Sequence, residues 1–441
     1  MAGNRTSGHL EVVHPDCAGI DIGKRRHYVA VDGARFDEPV RNFGTFTAEL
    51  EAMAQWLASC GVREVAMEST GVYWIPVFEV LDRAGFEVHL VNARATRQVS
   101  GRKSDVMDCQ WIRQLMSHGL LRGAYRVPDE ICAMRSYLRQ RDELVGQRSR
   151  AAHHVHKALT QMNVQLDNVL SDIMGKTGQL IVRAIVGGER DGAVLAGFRD
   201  GRCRADEATI AASLCGNWRD EHLFALEQAL GRYDALQEQI NACEARINGE
   251  LDKLARPGAG DPPEDKRSRK GRDRALRRRL KRMLGVDLLA IPTIGVETAL
   301  TVAAEVGADL SRFASAKHFC SWLGLAPGTC ISGDKHLKGA PRRRSNRLGQ
   351  ALRMAATTAR NDKSAIGAMH RRRLARMDTA KAVKATAHQL ARLIYSMLTR
   401  GEEYVARDLA AWEEQRRDRM ITHLQRQAGH FNLVLVPAPA A

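Results

Sequence analysis

Apolar and polar positions alternate singly from Ala18 to Ile22, with Ala18, Ile20 and Ile22 on one side and Gly19, Asp21 and Gly23 on the other. A second apolar run, Tyr28 to Val31, follows a short basic turn, so the two predict a β-hairpin with Asp21 on the face opposite its isoleucines. Phe43 to Phe46 predicts a third, edge strand, Thr47 to Ser59 an amphipathic helix, and Val62 to Met67 a short buried strand ending in Glu68. A helix from Trp74 to Ala84 and a strand from Phe86 to Val91 complete an alternating β/α pattern. Three strands, a helix, a strand, a helix and a strand is the order of an RNase H-like fold. Ser104 then suits a helix cap, and Val106, Met107, Trp111, Ile112 and Leu115 recur at helical spacing. Asp105 and Asp108, three residues apart, project from one face of that helix.

From Glu130 to about Ala255 the strand signal fades. Charged segments from Arg135 to Leu159 and Leu223 to Leu254 carry apolar residues at spacings of three and four, and Leu226, Leu230, Tyr233, Leu236, Ile240, Cys243 and Ile247 draw one stripe. Such a seam serves a dimerising arm, the preferred expectation, or packs within the chain. Pro257 to Met283 breaks the pattern with Gly258, Gly260, Pro262 and Pro263 and then a dense run of Lys and Arg. A like-charge block of this kind predicts a solvated linker that grips phosphate, and hence a domain boundary. Beyond it, Leu288 to Gly307 resembles a helix-hairpin-helix around Ile-Pro-Thr-Ile-Gly, whose turn offers backbone N–H groups to phosphate. Ala316 to Leu323 predicts a further helix, Gly324 to Lys335 a flexible loop, and Asn346 to Thr399 two or three more helices. The expected divisions are residues 1–128, an α/β domain; 129–256, a helical arm; 257–283, the basic linker; 284–402, an all-α domain; and 403–441, a tail.

Charge sharpens the picture. The 441 residues carry a net charge of +16, which favours a polyanionic partner, nucleic acid first. Aromatic residues are 5% of the chain and do not cluster beside the basic runs, which argues against a membrane-surface role. No apolar run of membrane-spanning length and no signal-like N-terminus occur, so a soluble, cytoplasmic protein is expected. Nine cysteines without Cys-x-x-Cys or zinc spacing suit reduced thiols. His153, His154 and His156 read as a helix face.

Asp21, Glu68, Asp105 and Asp108 carry the candidate chemistry. Taken singly, Asp105 and Asp108 would neutralise Arg102 and Lys103, Glu68 would be a polar strand end, and Asp21 a turn-proximal acid. In an RNase H-like fold, however, acids on the first strand, at the end of a later strand and on a following helix meet at one sheet edge. Four carboxylates there repel one another unless they hold divalent cations, and oxygen ligands suit Mg²⁺. A pair of such ions serves phosphoryl transfer. Ser332 lies among Lys335, Lys338, Arg342, Arg343, Arg344 and Arg347, and is either a turn residue or a nucleophile helped by that positive charge.

Gly19-Ile-Asp-Ile-Gly-Lys24, Met67-Glu-Ser-Thr-Gly-Val-Tyr-Trp-Ile-Pro76, Val91-Asn-Ala-Arg94, Gly101 to Trp111, and the block from Ile291-Pro-Thr-Ile-Gly295 to Ser332-Gly333 together resemble the DEDD transposases of the IS110 family of bacterial insertion sequences. The resemblance runs from about Asp16 to Arg400. It implies a RuvC-like domain, a coiled-coil arm and a C-terminal transposase domain. By position it makes Asp21, Glu68, Asp105 and Asp108 the Mg²⁺-binding tetrad and Ser332 the residue that links covalently to DNA. It further implies a homo-oligomer, dimer or tetramer, whose serine and acids come from different subunits, and a noncoding bridge RNA that pairs with donor and target DNA on the nucleoid. Asp334 replaces the second glycine usual after Ser-Gly. The rival readings are a RuvC-like junction nuclease with water as nucleophile, an actin-like sugar kinase, which shares Gly-Ile-Asp-Ile-Gly but needs a second phosphate loop, and a non-catalytic nucleic-acid-binding descendant.

Overall fold

The computed structural model describes residues 11–69, 71–91, 105–121, 123, 126–258, 260–262, 271–327, 329–332, 335–338, 346–434 and 436, with 329–338 described by backbone alone. The chain forms two compact units, 1–126 and 127–441.

The first unit holds β1 (Cys17–Ile22), β2 (Arg26–Ala30), β3 (Val40–Gly44), α1 (Thr47–Ser59), β4 (Glu64–Glu68), α2 (Trp74–Arg83), β5 (Glu87–Val91) and α3 (Asp105–Ser117). The sheet order is β3-β2-β1-β4-β5. β1 to β3 pair antiparallel, and β4 and β5 join parallel to β1. The order and directions are consistent with an RNase H-like fold. Alternation decides the layers: Ala18, Ile20, Ile22, Val65 and Met67 face a core filled by α1 and α2, while Cys17 and Ala66 face Ile112 and Met116 of α3. The edge strand lies three residues earlier than its aromatic pattern indicated, because β3 pairs through polar Arg41 and Asn42 opposite β2.

In the second unit α4 (Asp129–Gln161) and α9 (Asp220–Lys253) form a long antiparallel pair, with α5 (Leu166–Val169), α6 (Lys176–Val186), α7 (Gly192–Ala196) and α8 (Glu207–Ser213) at its far end. The predicted stripe is filled within the chain. Leu236 and Ile240 pack on Leu144 and Ala151, and Leu226 and Leu230 on Val155 and Ala158. Of the two uses expected for this seam, packing within the chain is the one seen here, with α4 supplying its other half. His156 sits 3.0 Å from Asp167, an ordinary helix-surface pair.

Then follow α10 (Gly271–Leu284), a short 3-10 turn (Leu288–Ala290), α11 (Val296–Glu305), α12 (Ala316–Trp322), β6 (Thr329–Ser332), β7 (Lys335–Lys338), α13 (Arg347–Thr358), α14 (Ala365–Leu374), α15 (Thr379–Arg400) and α16 (Glu402–His430). Two expectations change here. Residues 271–283, read as solvated linker, are helical because Leu276, Leu280, Met283 and Leu284 recur on one buried side. The segment before Ile-Pro-Thr-Ile-Gly is a single 3-10 turn rather than a helix of its own, with α10 ending at Leu284.

Arg277 and Asp287 lock α10 to that turn. Both side chains are almost fully buried, their closest atoms 2.5 Å apart, and Asp287 also accepts from the backbone N–H of Leu289. Removing one charge strands the other, which costs about 3–5 kcal/mol. Arg277→Met should lower stability by that amount in a denaturant titration, and Arg277→Met with Asp287→Leu should recover much of it.

Candidate active site

Register brings Asp21 and Glu68 together. β1 and β4 run parallel with Ile20 opposite Met67, so the next residue on each strand, Asp21 and Glu68, stand side by side near the C-terminal ends. Ile20 and Met67 enter the α1–α2 core, and the strand alternation turns the two acids to the α3 face. Both are half-buried. Tyr28, across the hairpin from Asp21, shares that face.

A residue without a side chain lets α3 down onto this face. A Cβ at Gly19 would lie 2.4 Å from both the Arg113 nitrogen and the Cys109 carbonyl oxygen, so the helix backbone rests on the strand. Cys17 Sγ, one step earlier on the same face, donates to the Arg113 carbonyl at 3.7 Å. Moving along β1 from Cys17 to Asp21 therefore means moving back along α3 from Arg113. The first turn of α3, with exposed Asp105 and half-buried Asp108, falls at the Asp21 end.

The electrostatics agree with this placement. The Cys109 thiol is pushed up to about 12, by burial first and then by the negative charges of Asp21 and Asp108. Both carboxylates thus lie close to one buried sulfur. Cys17 is pushed up to about 11, again mainly by burial. Neither is a thiolate at neutral pH, so neither supplies a nucleophile.

Three of the four predicted acids, Asp21, Glu68 and Asp108, thus share one end of one face, with Asp105 a turn-step further out. Among the described residues no three His, Cys, Asp or Glu side chains close into a metal-ligating cluster. The donors are carboxylate oxygens only, a set that fits a hard divalent cation and not a softer one.

Ser332 is the last residue of β6 and pairs with Lys335 of β7. This corrects the expected flexible loop: the serine ends the first strand of a two-stranded antiparallel sheet whose second strand carries Lys335 and Lys338. Arg347 begins α13, half-exposed and 3.4 Å from Asp142. Such a surface pair contributes at most about 1 kcal/mol. Arg102, Lys103, Ser104, Asp334, Arg342, Arg343 and Arg344 lie outside the described residues. Sequence reading missed Gly19 as a site-building residue. Its signal was a glycine inside an alternating strand, which marks close backbone approach.

Residues 18–164 match the DEDD transposase domain of the IS110 family. Residues 287–371 match the domain described as Transposase IS116/IS110/IS902 family. The chain is a transposase of the IS110 family. Among its relatives is the 43.6 kDa protein of insertion element IS110 from Streptomyces coelicolor, 27% identical over 354 residues, 74% of this chain and 78% of the relative. A second, the mini-circle protein of IS117 from the same organism, is 38% identical over 86 residues, 20% of this chain and 21% of the relative. As an IS110-family transposase the protein is an enzyme acting on DNA, and its DEDD domain points to divalent-metal use. No described helix is long and apolar enough to cross a membrane.

Proposed function

We propose that this transposase cuts and rejoins DNA through a phosphoserine intermediate formed on Ser332, with Asp21, Glu68, Asp105 and Asp108 holding Mg²⁺. The observation that carries the reading is the seating of α3 on Gly19, which sets the Asp105–Asp108 turn at the same sheet end as Asp21 and Glu68. Mg²⁺ bound there supplies Lewis-acid stabilisation to the phosphate under attack.

The chain's own groups do the remainder. The Ser332 hydroxyl gives up its proton as Oγ forms a bond to phosphorus, the P–O bond to the leaving strand breaks, and that strand departs as a hydroxyl carrying an equivalent proton from solvent. A hydroxyl of another strand then attacks the serine ester, forming the new phosphodiester and returning Ser332 to the free alcohol. Bond energy is conserved, so no high-energy cofactor is consumed. Lys335 and Lys338 on β7 and Arg347 on α13 attract the strand to be cut. Two features of this reading rest on the family resemblance and the net positive charge: a homo-oligomer in which one subunit's serine meets another's acids, and a bridge RNA that selects donor and target DNA.

Ser332→Ala is the test. Strand transfer between donor and target duplexes should be lost while equilibrium DNA binding stays within a few-fold of wild type. Unimpaired strand transfer by that variant would remove the serine from the mechanism. RNA extracted from the purified protein and sequenced should map to the DNA flanking its own gene.

A further inference from the structure

Several arginines of the arm and α10 hold carboxylates: Arg183 with Asp234, Arg202 with Asp200, Arg279 with Asp252, Arg277 with Asp287. A group where α14 meets α16 does not. Among the described residues Arg360, Arg371, Arg372, Arg373, Arg376 and Arg419 form no ion pair, and all but half-buried Arg373 are exposed. Three nearby carboxylates are engaged elsewhere, while Glu414 and Asp418 of α16 are exposed. Asp378 holds Lys381 at 2.7 Å, Glu413 holds Arg416 at 2.9 Å, and Asp362 caps the backbone of Ser364.

Packing forces these cations together. Glu413 of α16 accepts from the backbone N–H of Ala365 at the start of α14. Seven residues further along α14 and six along α16, about two turns on each, stand Arg372 and Arg419. The Arg372 guanidinium is held below its ordinary pKa by lost hydration and then by the charges of Arg419 and Arg376, so the three feel one another. Arg371 reaches back to the carbonyls of Arg360 and Asp362 at 3.0 and 2.7 Å, which adds Arg360 to the same end. Among the described residues the Arg373 guanidinium donates to the Thr386 hydroxyl at 3.0 Å and to no carboxylate. Mutual repulsion of this kind disfavours the free fold and is relieved by a polyanion with regularly spaced charges.

We propose that Arg372, Arg376 and Arg419, where α14 meets α16, grip the sugar–phosphate backbone of a nucleic-acid duplex without reading its sequence. Most of the patch lies beyond residue 371, where the family match ends. The proposal deepens the transposase reading, since it seats that enzyme's DNA or its RNA, but its test uses binding alone and is independent of strand cleavage.

The test compares the full-length protein with two triple variants, Arg372→Gln/Arg376→Gln/Arg419→Gln and the Lys-substituted equivalent. Binding to a random-sequence duplex DNA and, separately, a duplex RNA is measured from 50 to 300 mM salt. Each phosphate contact contributes about 0.9 to the slope of log affinity against log salt on B-DNA, so the Gln variant should lose about 2 to 3 from the slope on whichever duplex the patch holds. The Lys variant should keep the wild-type slope, and so should Arg202→Gln, an exposed arm arginine already paired with Asp200. Slopes unchanged on both duplexes, or a loss shared by the Gln and Lys variants, would overturn the proposal.

Discussion

Strand cleavage by Asp21→Asn protein should fall about 100- to 1,000-fold, the range seen when one preorganised electrostatic group is removed from a transition-state site. Glu68→Gln should behave alike. Asp21 and Glu68 sit side by side on parallel strands, and the Asp21 and Asp108 charges converge on the Cys109 sulfur. In the proposed site, carboxylates gathered at one sheet end repel one another unless a cation is shared among them. The amide swaps keep shape and remove charge, so melting temperature should be unchanged or rise slightly as repulsion is relieved. Cleavage retained at the wild-type rate, with Mg²⁺ near its wild-type optimum, would show that these acids do not serve the reaction.

The second large effect is structural and acts on the same site. Gly19→Ala places a methyl 2.4 Å from two backbone atoms of α3, where no side chain can give way, and Gly19→Val is worse. Overpacking of this severity costs about 3 kcal/mol at least. α3 should lift from β1 in both variants, taking Asp105 and Asp108 away from Asp21, so melting and cleavage fall together. Gly146→Ala is the contrast, because nothing lies within 4 Å of its added Cβ on α4. Its helix should gain about 0.5–1 kcal/mol. Cooperative melting at the wild-type temperature in Gly19→Val would contradict the docking argument.

These two predictions mark what local pattern conveyed and what it did not. Alternation between Ala18 and Ile22 separated Asp21 from its isoleucines before any fold was known, and α1 occupies the span its amphipathic period indicated. The Leu226 to Ile247 stripe announced a seam but not its owner, because the apolar face offered to a second copy is the same face offered to α4. Charge concealed α10, where Leu276, Leu280 and Met283 keep helical spacing among arginines that read as linker. The β6–β7 hairpin was hidden for another reason. Its strands are four residues each, β6 without a charge and β7 with a lysine at either end, too short for a period of two to stand out. Gly19 has no side chain to declare its role, and the arginine patch draws on Arg372 and Arg419, 47 residues apart, a distance no motif spans.

In the proposed mechanism Ser332 becomes covalently linked to DNA in a reaction that needs Asp21. Wild-type protein is incubated with a labelled donor duplex and Mg²⁺, quenched in denaturant, and the protein-linked label is digested and sequenced by mass spectrometry. A phosphodiester-linked peptide bearing its DNA at Ser332, absent from Asp21→Asn protein, is the expected result. Cleaved DNA with no covalently attached protein, or attachment at any other residue, would contradict it.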